Sequence, residues 1–119
     1  MPLHDGQIVI VSDMTDPNGV NPKDRPSVVV TPTDEIDPEG AVIVVAISTL
    51  LPGPAPDDCV ELPWDPRGHP RTGLRTRFAA VIPWIQEISS ERVIGSIGHV
   101  PGKQLSAIAA ELAELRDQG

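Results

Sequence analysis

Residues 41–49 read AVIVVAIST, and residues 26–31 read PSVVVT. Both runs are short, rich in Val and Ile and bounded by turn formers. Such side chains lose rotamer freedom in a helix and pack well on a pleated surface, so each run reads as a buried strand. The longer run is apolar at nearly every position, which predicts cover on both faces or at a subunit contact. Polar groups stand at the ends: Arg25 at the entrance of one run, Ser48 and Thr49 at the exit of the other. A guanidinium is a permanently charged planar fork of donors, and a hydroxyl can donate to a phosphoryl oxygen or orient an attacking one. Together they point to a phosphate site, and toward RNA.

Working outward, Gln7–Ser12 (QIVIVS) reads as a first strand after the Asp5-Gly6 turn signal. The segment 13–24 (DMTDPNGVNPKD) is loop, carrying Pro17-Asn18-Gly19 and Asn21-Pro22. The second strand is predicted at Ser27–Thr31, just behind Pro26, where a missing N–H need not disturb a ladder. The third spans Ala41–Ile47 and a short fourth spans Cys59–Leu62. From Phe78 to Ile88 the apolar content resumes, with a bulge or bend expected at Pro83. Ser89–Arg92 (SSER) reads as one helical turn with a serine cap, and Val93–Val100 as a further strand in which Gly95 and Gly98 suggest close backbone approach. Leu105, Ile108, Leu112 and Leu115 then fall at helical spacing, predicting an amphipathic helix from Lys103 to about Asp117. The expected architecture is mainly β: a small, curved, SH3-like β-barrel closed by a C-terminal helix.

At 119 residues one domain over 1–119 is expected. Fourteen prolines and ten glycines cut the chain into short segments, which argues against a helix bundle. No stretch approaches the ~18 apolar residues of a membrane span, and the N-terminus lacks a signal-peptide pattern, so a cytoplasmic protein with no membrane partner is expected. The single cysteine, Cys59, forms no intrachain disulfide and reads as a packed thiol.

A net charge of −8 argues against a protein that coats nucleic acid by bulk attraction. The distribution qualifies this. Acids crowd the first half, whereas Arg67, Arg71, Arg75 and Arg77 fall in a stretch without an acid between Asp65 and Glu87. Read on charge alone, that stretch is a solvated surface loop. His4, His69 and His99 show no metal-ligand spacing with one another or with Cys59, so no metal or cofactor is expected. His69 lies in the basic loop, where an imidazole near a phosphate can shuttle protons. Trp64, in a loop, is the better base-stacking candidate; Trp84, between Pro83 and Ile85, reads as core or dimer contact.

The order GQIVIV, KDRPSVVVT, IVVAIST, VELP, RVIGSIGHV and a closing helix resembles the MazF/PemK family of toxin endoribonucleases over nearly the whole chain. The resemblance implies a homodimeric, cofactor-free toxin that cleaves single-stranded mRNA by 2′-hydroxyl attack and is neutralised by a cognate antitoxin. It reverses the plainer reading of Arg25 as a surface partner of Asp24. By position the catalytic pair is Arg25 and Ser48, with Thr49 as a neighbour able to substitute. Lys23, Trp64, Arg67, His69, Arg71, Arg75, Arg77 and Gln86 are the residues expected to contact RNA. Arginine is too weak an acid to serve readily as a base, so its assigned role is electrostatic.

The chain also departs from the family pattern. Its first loop is acidic, at Asp13, Asp16 and Asp24; Gln86 stands where an arginine is frequent, and Ser48 where a threonine is usual. These departures keep a second reading open, a barrel that has lost cleavage and acts as a protein-binding module, and a minor third, a gyrase-directed toxin.

Overall fold

A computed structural model describes residues 3–118, with side chains as far as residue 115. The chain forms β1 (Gln7–Met14), β2 (Lys23–Val29), β3 (Ala41–Thr49), β4 (Cys59–Glu61), β5 (Phe78–Ser89), β6 (Val93–His99) and α1 (Gly102–Gln118), with 3₁₀ turns at Thr33–Glu35 and Ser90–Arg92. The strands make one antiparallel sheet in the order β4-β5-β3-β2-β1-β6. This is the expected mainly-β fold with a C-terminal helix. The word barrel describes its shape only loosely, because the ladder is not closed: β4 and β6 are its edges. The segment 62–77 spans between them, with Leu62 N–H donating to Phe78 and His99 N–H donating to the Arg71 carbonyl.

Alternation along the strands sends side chains into two cores. Ile8, Val28, Val45 and Ile47 join Leu62, Leu74, Ala80, Ile82, Val100 and Ile108 of the helix. Their neighbours Val9, Val29, Val44 and Ala46 turn the other way, with Val11, Met14, Val42 and Ile88. This explains the unbroken apolar run of β3, which is covered on both faces within one chain. Helix α1 packs on β4 and β5. Its predicted stripe holds at Ile108, fully buried, and at half-buried Leu105 and Leu112, whereas Leu115 stays exposed.

Several bounds differ from the sequence expectation. β2 begins at Lys23, not Ser27, and ends at Val29, so Arg25 and Pro26 lie inside the strand. Pro26 is tolerated there because it pairs with Ile10 of β1 on one side, while pairing with β3 starts only at Ser27. β3 continues through Ser48 and Thr49, which pair with Ala79 and Phe78 instead of leaving the sheet. β5 is one strand with a register break where expected: Val45 faces Ile85 but Ile47 faces Ala80, and the surplus residues include Pro83. The serine cap is present, with Ser89 Oγ accepting from Glu91 N–H.

Candidate functional site

The register brings the proposed catalytic residues to one end and one face of the sheet. Ser48 faces Ala79, and Ala79 faces Glu61, so these three share a row across β3, β5 and β4. Ser27 faces Ala46 in the last β2–β3 pair. Two residues further, the same register aligns Arg25 with Ser48, beyond the point where the ladder stops. Alternation puts both on the face of Met14, Val44 and Ala46. Gln86, opposite Val44, shares this face, and Trp84 packs against the same core.

The segment that crosses above this end is held by side chains from three elements. Arg92 Nε and Nη2 donate to the Ser12 carbonyl at 3.1 and 2.7 Å, and Nη2 also reaches the Asp13 carbonyl at 2.7 Å. Arg25 Nε donates to the Met14 carbonyl at 2.8 Å and Nη2 to the Asn21 carbonyl at 2.7 Å. Trp84 Nε1 and Gln86 Nε2 both donate to the Thr15 carbonyl, at 3.1 and 3.2 Å. Four consecutive carbonyls, 12 to 15, therefore end on side-chain donors. They need them because the β1–β2 register breaks between Val11 and Met14, where Asp13 takes φ 50° and the ladder supplies no regular partner.

Arg25 is thereby fixed in place. Its guanidinium lies 5.0 Å from the Trp84 ring centroid, and among the described residues it forms no ion pair with Asp24 or any other acid. Asp24 instead accepts from Asp13 N–H. Asp16 is spent on its own turn, accepting from Asn18 and Val20 N–H and from Asn21 Nδ2. The Val20 N–H bond, first among these, lowers its carboxyl below the usual range. With two of its nitrogens on carbonyls, Arg25 keeps Nη1 without a hydrogen-bond partner among the described residues, a fixed charge with one free donor nitrogen.

The other predicted contacts divide. Lys23 is exposed at the start of β2. Ser48 is half-buried and Thr49 exposed; both line a pocket of about 320 Å³ under residues 50–56. Arg77 is committed: Nε and Nη2 make a bidentate pair with Glu61 at 3.0 and 2.8 Å, and Nη1 reaches the Leu51 carbonyl. The pair holds the Glu61 carboxyl below its ordinary range and raises Arg77. Arg67, Arg71 and Arg75 are exposed, and among the described residues none forms an ion pair. Their loop packs through Leu62 and Leu74 into the core that faces away from Arg25. Half-buried His69 turns Nδ1 to the Arg71 and Thr72 N–H groups at 3.1 and 3.3 Å. Trp64 is 41% exposed.

Trp84, expected in the core or at a dimer contact, is half-buried beside Arg25 with its N–H satisfied inside the chain. His99, on β6, stacks on His4 with ring centroids 4.4 Å apart. Burial, followed by Asp58, pushes the Cys59 thiol up to about 11. Sequence reasoning missed Arg92 and Thr15. The serine-capped turn located Arg92 at a strand entrance, but no local pattern signals a reach to carbonyls of residues 12 and 13. Among the described residues no group of three or more His, Cys, Asp or Glu is placed to hold a metal ion, and no helix is long and apolar enough to cross a membrane.

This open antiparallel sheet, with its C-terminal helix and an arginine and a serine aligned at one end, has the form of a small toxin fold. Residues 4–115 match the PemK-like, MazF-like toxins of type II toxin–antitoxin systems, and the chain belongs to that family. Among solved structures it is similar to MazF from Deinococcus radiodurans, at 14% identity over 98% of each chain with a TM-score of 0.76. It is also similar to an endoribonuclease in complex with its cognate antitoxin from a mycobacterial species, at 13% identity over 98% of this chain and 97% of that one, TM-score 0.68. A third is the Mycobacterium tuberculosis toxin MazF-mt6, at 22% identity over 93% and 96%, TM-score 0.62. At these identities the likeness is one of fold. No curated protein matches the chain.

Proposed function

We propose that this toxin is an endoribonuclease that cleaves single-stranded mRNA without a metal ion and is neutralised by an antitoxin. The observation that carries the reading is the alignment of Arg25 and Ser48 on one face at one sheet end, with Arg25 already immobilised and one donor nitrogen unspent. Family membership and the mycobacterial endoribonuclease–antitoxin complex of the same fold support it.

In the proposed reaction the ribose 2′-oxygen attacks the adjacent phosphorus and the bond from phosphorus to the 5′-oxygen breaks. The 2′-hydroxyl gives up its proton and the departing 5′-oxygen takes one. The products are a 2′,3′-cyclic phosphate and a 5′-hydroxyl. Charge accumulates on the non-bridging oxygens, where a preorganised guanidinium is worth most because it need not reorganise as the charge develops. Ser48 supplies a hydroxyl donor to the same oxygens, and Thr49 and Lys23 flank them. Single strands are required because in-line attack needs a ribose–phosphate geometry that a duplex does not allow and because base edges are open only when unpaired. The protein works as a homodimer in the cytoplasm, its antitoxin laying an extended segment over the RNA track.

The test is incubation of purified protein with a long single-stranded RNA in excess chelator, beside Arg25→Ala. Discrete cuts that vanish in the variant support the reading. A protein that arrests growth yet cuts no RNA points instead to action through a protein partner, a reading favoured by the occupation of two Arg25 nitrogens by the protein's own carbonyls.

A further inference from the structure

Beyond the Arg25 end, an open pocket of about 480 Å³ is lined by Glu61, Leu62, Pro63, Trp64, His69 and Gln104. We propose that it is a base-binding subsite, taking one unpaired nucleobase of the same RNA strand against the face of Trp64. The proposal rests on the ribonuclease reading and extends it to residues outside the Arg25 row.

The platform is rigid before any ligand arrives. Thr72, fully buried, donates through Oγ1 to the Pro63 carbonyl at 2.8 Å, one residue ahead of Trp64, and accepts from Leu74 N–H. Asp65 N–H and His69 N–H both donate to the Leu74 carbonyl. Gly73, at φ +72°, closes the loop on β6 where a Cβ would stand 2.6 Å from the Ile97 carbonyl oxygen, so only glycine permits this approach. Trp64, with 41% of its surface in solvent, presents a ring on this frame against which a base can stack.

The polar groups suit a base edge. His69 Nδ1 accepts two backbone N–H groups, which assigns the ring proton to Nε2 and makes that nitrogen a donor. Gln104 offers an amide donor and acceptor with no protein partner among the described residues, at the first turn of α1. Glu61, the one carboxylate at the pocket, has both oxygens on Arg77, which offsets its repulsion of a phosphate. Arg67, Arg71 and Arg75 in the same loop form no ion pair among the described residues, which leaves their charge for the flanking phosphates. The row Arg25, Ser48, Ala79, Glu61 crosses four strands, about 15 Å, and leads from the proposed cleavage point to this pocket.

The test uses a fluorescein-labelled, mixed-sequence 12-nucleotide RNA with 2′-O-methyl groups throughout, which binds without being cut. Wild type binds it, Trp64→Ala weakens binding roughly 5- to 100-fold, and Trp64→Phe stays near wild type. Gln104→Ala, on the helix surface, weakens binding by a smaller factor. On natural RNA, Trp64→Ala raises KM and leaves kcat unchanged. Wild-type binding with undiminished affinity in both Trp64→Ala and Gln104→Ala overturns the subsite and leaves the ribonuclease reading standing. A wild-type protein that neither binds nor cuts RNA overturns both.

Discussion

The two arginine-bearing regions of this chain use the same side chain in opposite ways. At the β1–β2 end, Arg25 and Arg92 are turned onto backbone carbonyls and hold an irregular segment in shape. In the loop 62–77, Arg67, Arg71 and Arg75 stand in solvent with no acid to pair with among the described residues, on a loop made rigid by a threonine, a glycine and a backbone pairing. Arg92 spends its charge on building geometry, the loop arginines keep theirs available for a ligand, and Arg25 divides its nitrogens between the two uses. The acidic total of −8 describes neither. A phosphate-binding protein can be strongly acidic if its cations are few, fixed and locally unopposed.

The largest effect that would break this division belongs to Arg25. Arg25→Ala is expected to lower the RNA cleavage rate about 10²- to 10³-fold, as removal of a preorganised donor does. Arg25→Lys recovers little, because an ammonium cannot hold two carbonyls and a phosphate in one plane. A single-turnover assay decides both.

Arg92→Ala sharpens the contrast on the structural side. It strips the donors from the Ser12 and Asp13 carbonyls and is expected to destabilise the fold by roughly 1–3 kcal/mol, read from urea unfolding. Cleavage falls with it, because the segment that fixes Arg25 loosens. If stability is unchanged, the carbonyls are served equally by water and the clamp is ornamental.

Arg71→Ala combined with Arg75→Ala should do the reverse. Stability stays within about 0.5 kcal/mol, while the slope of log affinity for RNA against log salt drops by about 1.4, two phosphate contacts on a single strand. An unchanged slope shows that this loop is a solubilising surface.

The smallest effect is the Arg77–Glu61 pair, whose attraction solvent largely screens. Because Arg77 lowers the folded-state pKa of Glu61, the stabilisation is present above the unfolded value of about 4.3 and is lost as pH falls through the lowered folded value. Wild type is thus expected to exceed Glu61→Gln in stability at pH 7 and to converge with it as pH falls below that lowered value, by urea midpoints.

The strand cores were legible because Val and Ile at positions 42–47 and 28–29 leave little alternative to a buried sheet. The closing helix was legible from period, except that Leu115 stays exposed at its far end. Strand ends were not legible. Lys23, Asp24 and Arg25 are polar and extend β2 only because β1 lies alongside; nothing in their own propensities requires it. The same holds for Ser48 and Thr49, carried into the ladder by Ala79 and Phe78. Arg25 and Ser48 were identified from motif order, while their alignment follows from a register no local reading contains. Arg77 and Arg71 look alike in sequence and differ in use because Arg77, just ahead of β5, donates to the Glu61 carboxylate at the end of β4, whereas Arg71 forms no ion pair among the described residues. Arg92 escaped notice because its acceptors lie at the far end of the chain.

The most direct test of the central claim, metal-free cleavage by 2′-hydroxyl attack at the Arg25 end, is the chemistry of the cut ends. Fragments made by the protein in chelator are offered to polynucleotide kinase and labelled ATP, with and without prior phosphatase. The account predicts 5′-hydroxyl ends that take label directly, and none of these fragments with Arg25→Ala. Ends that label only after phosphatase, or cuts that persist in the variant, would contradict it.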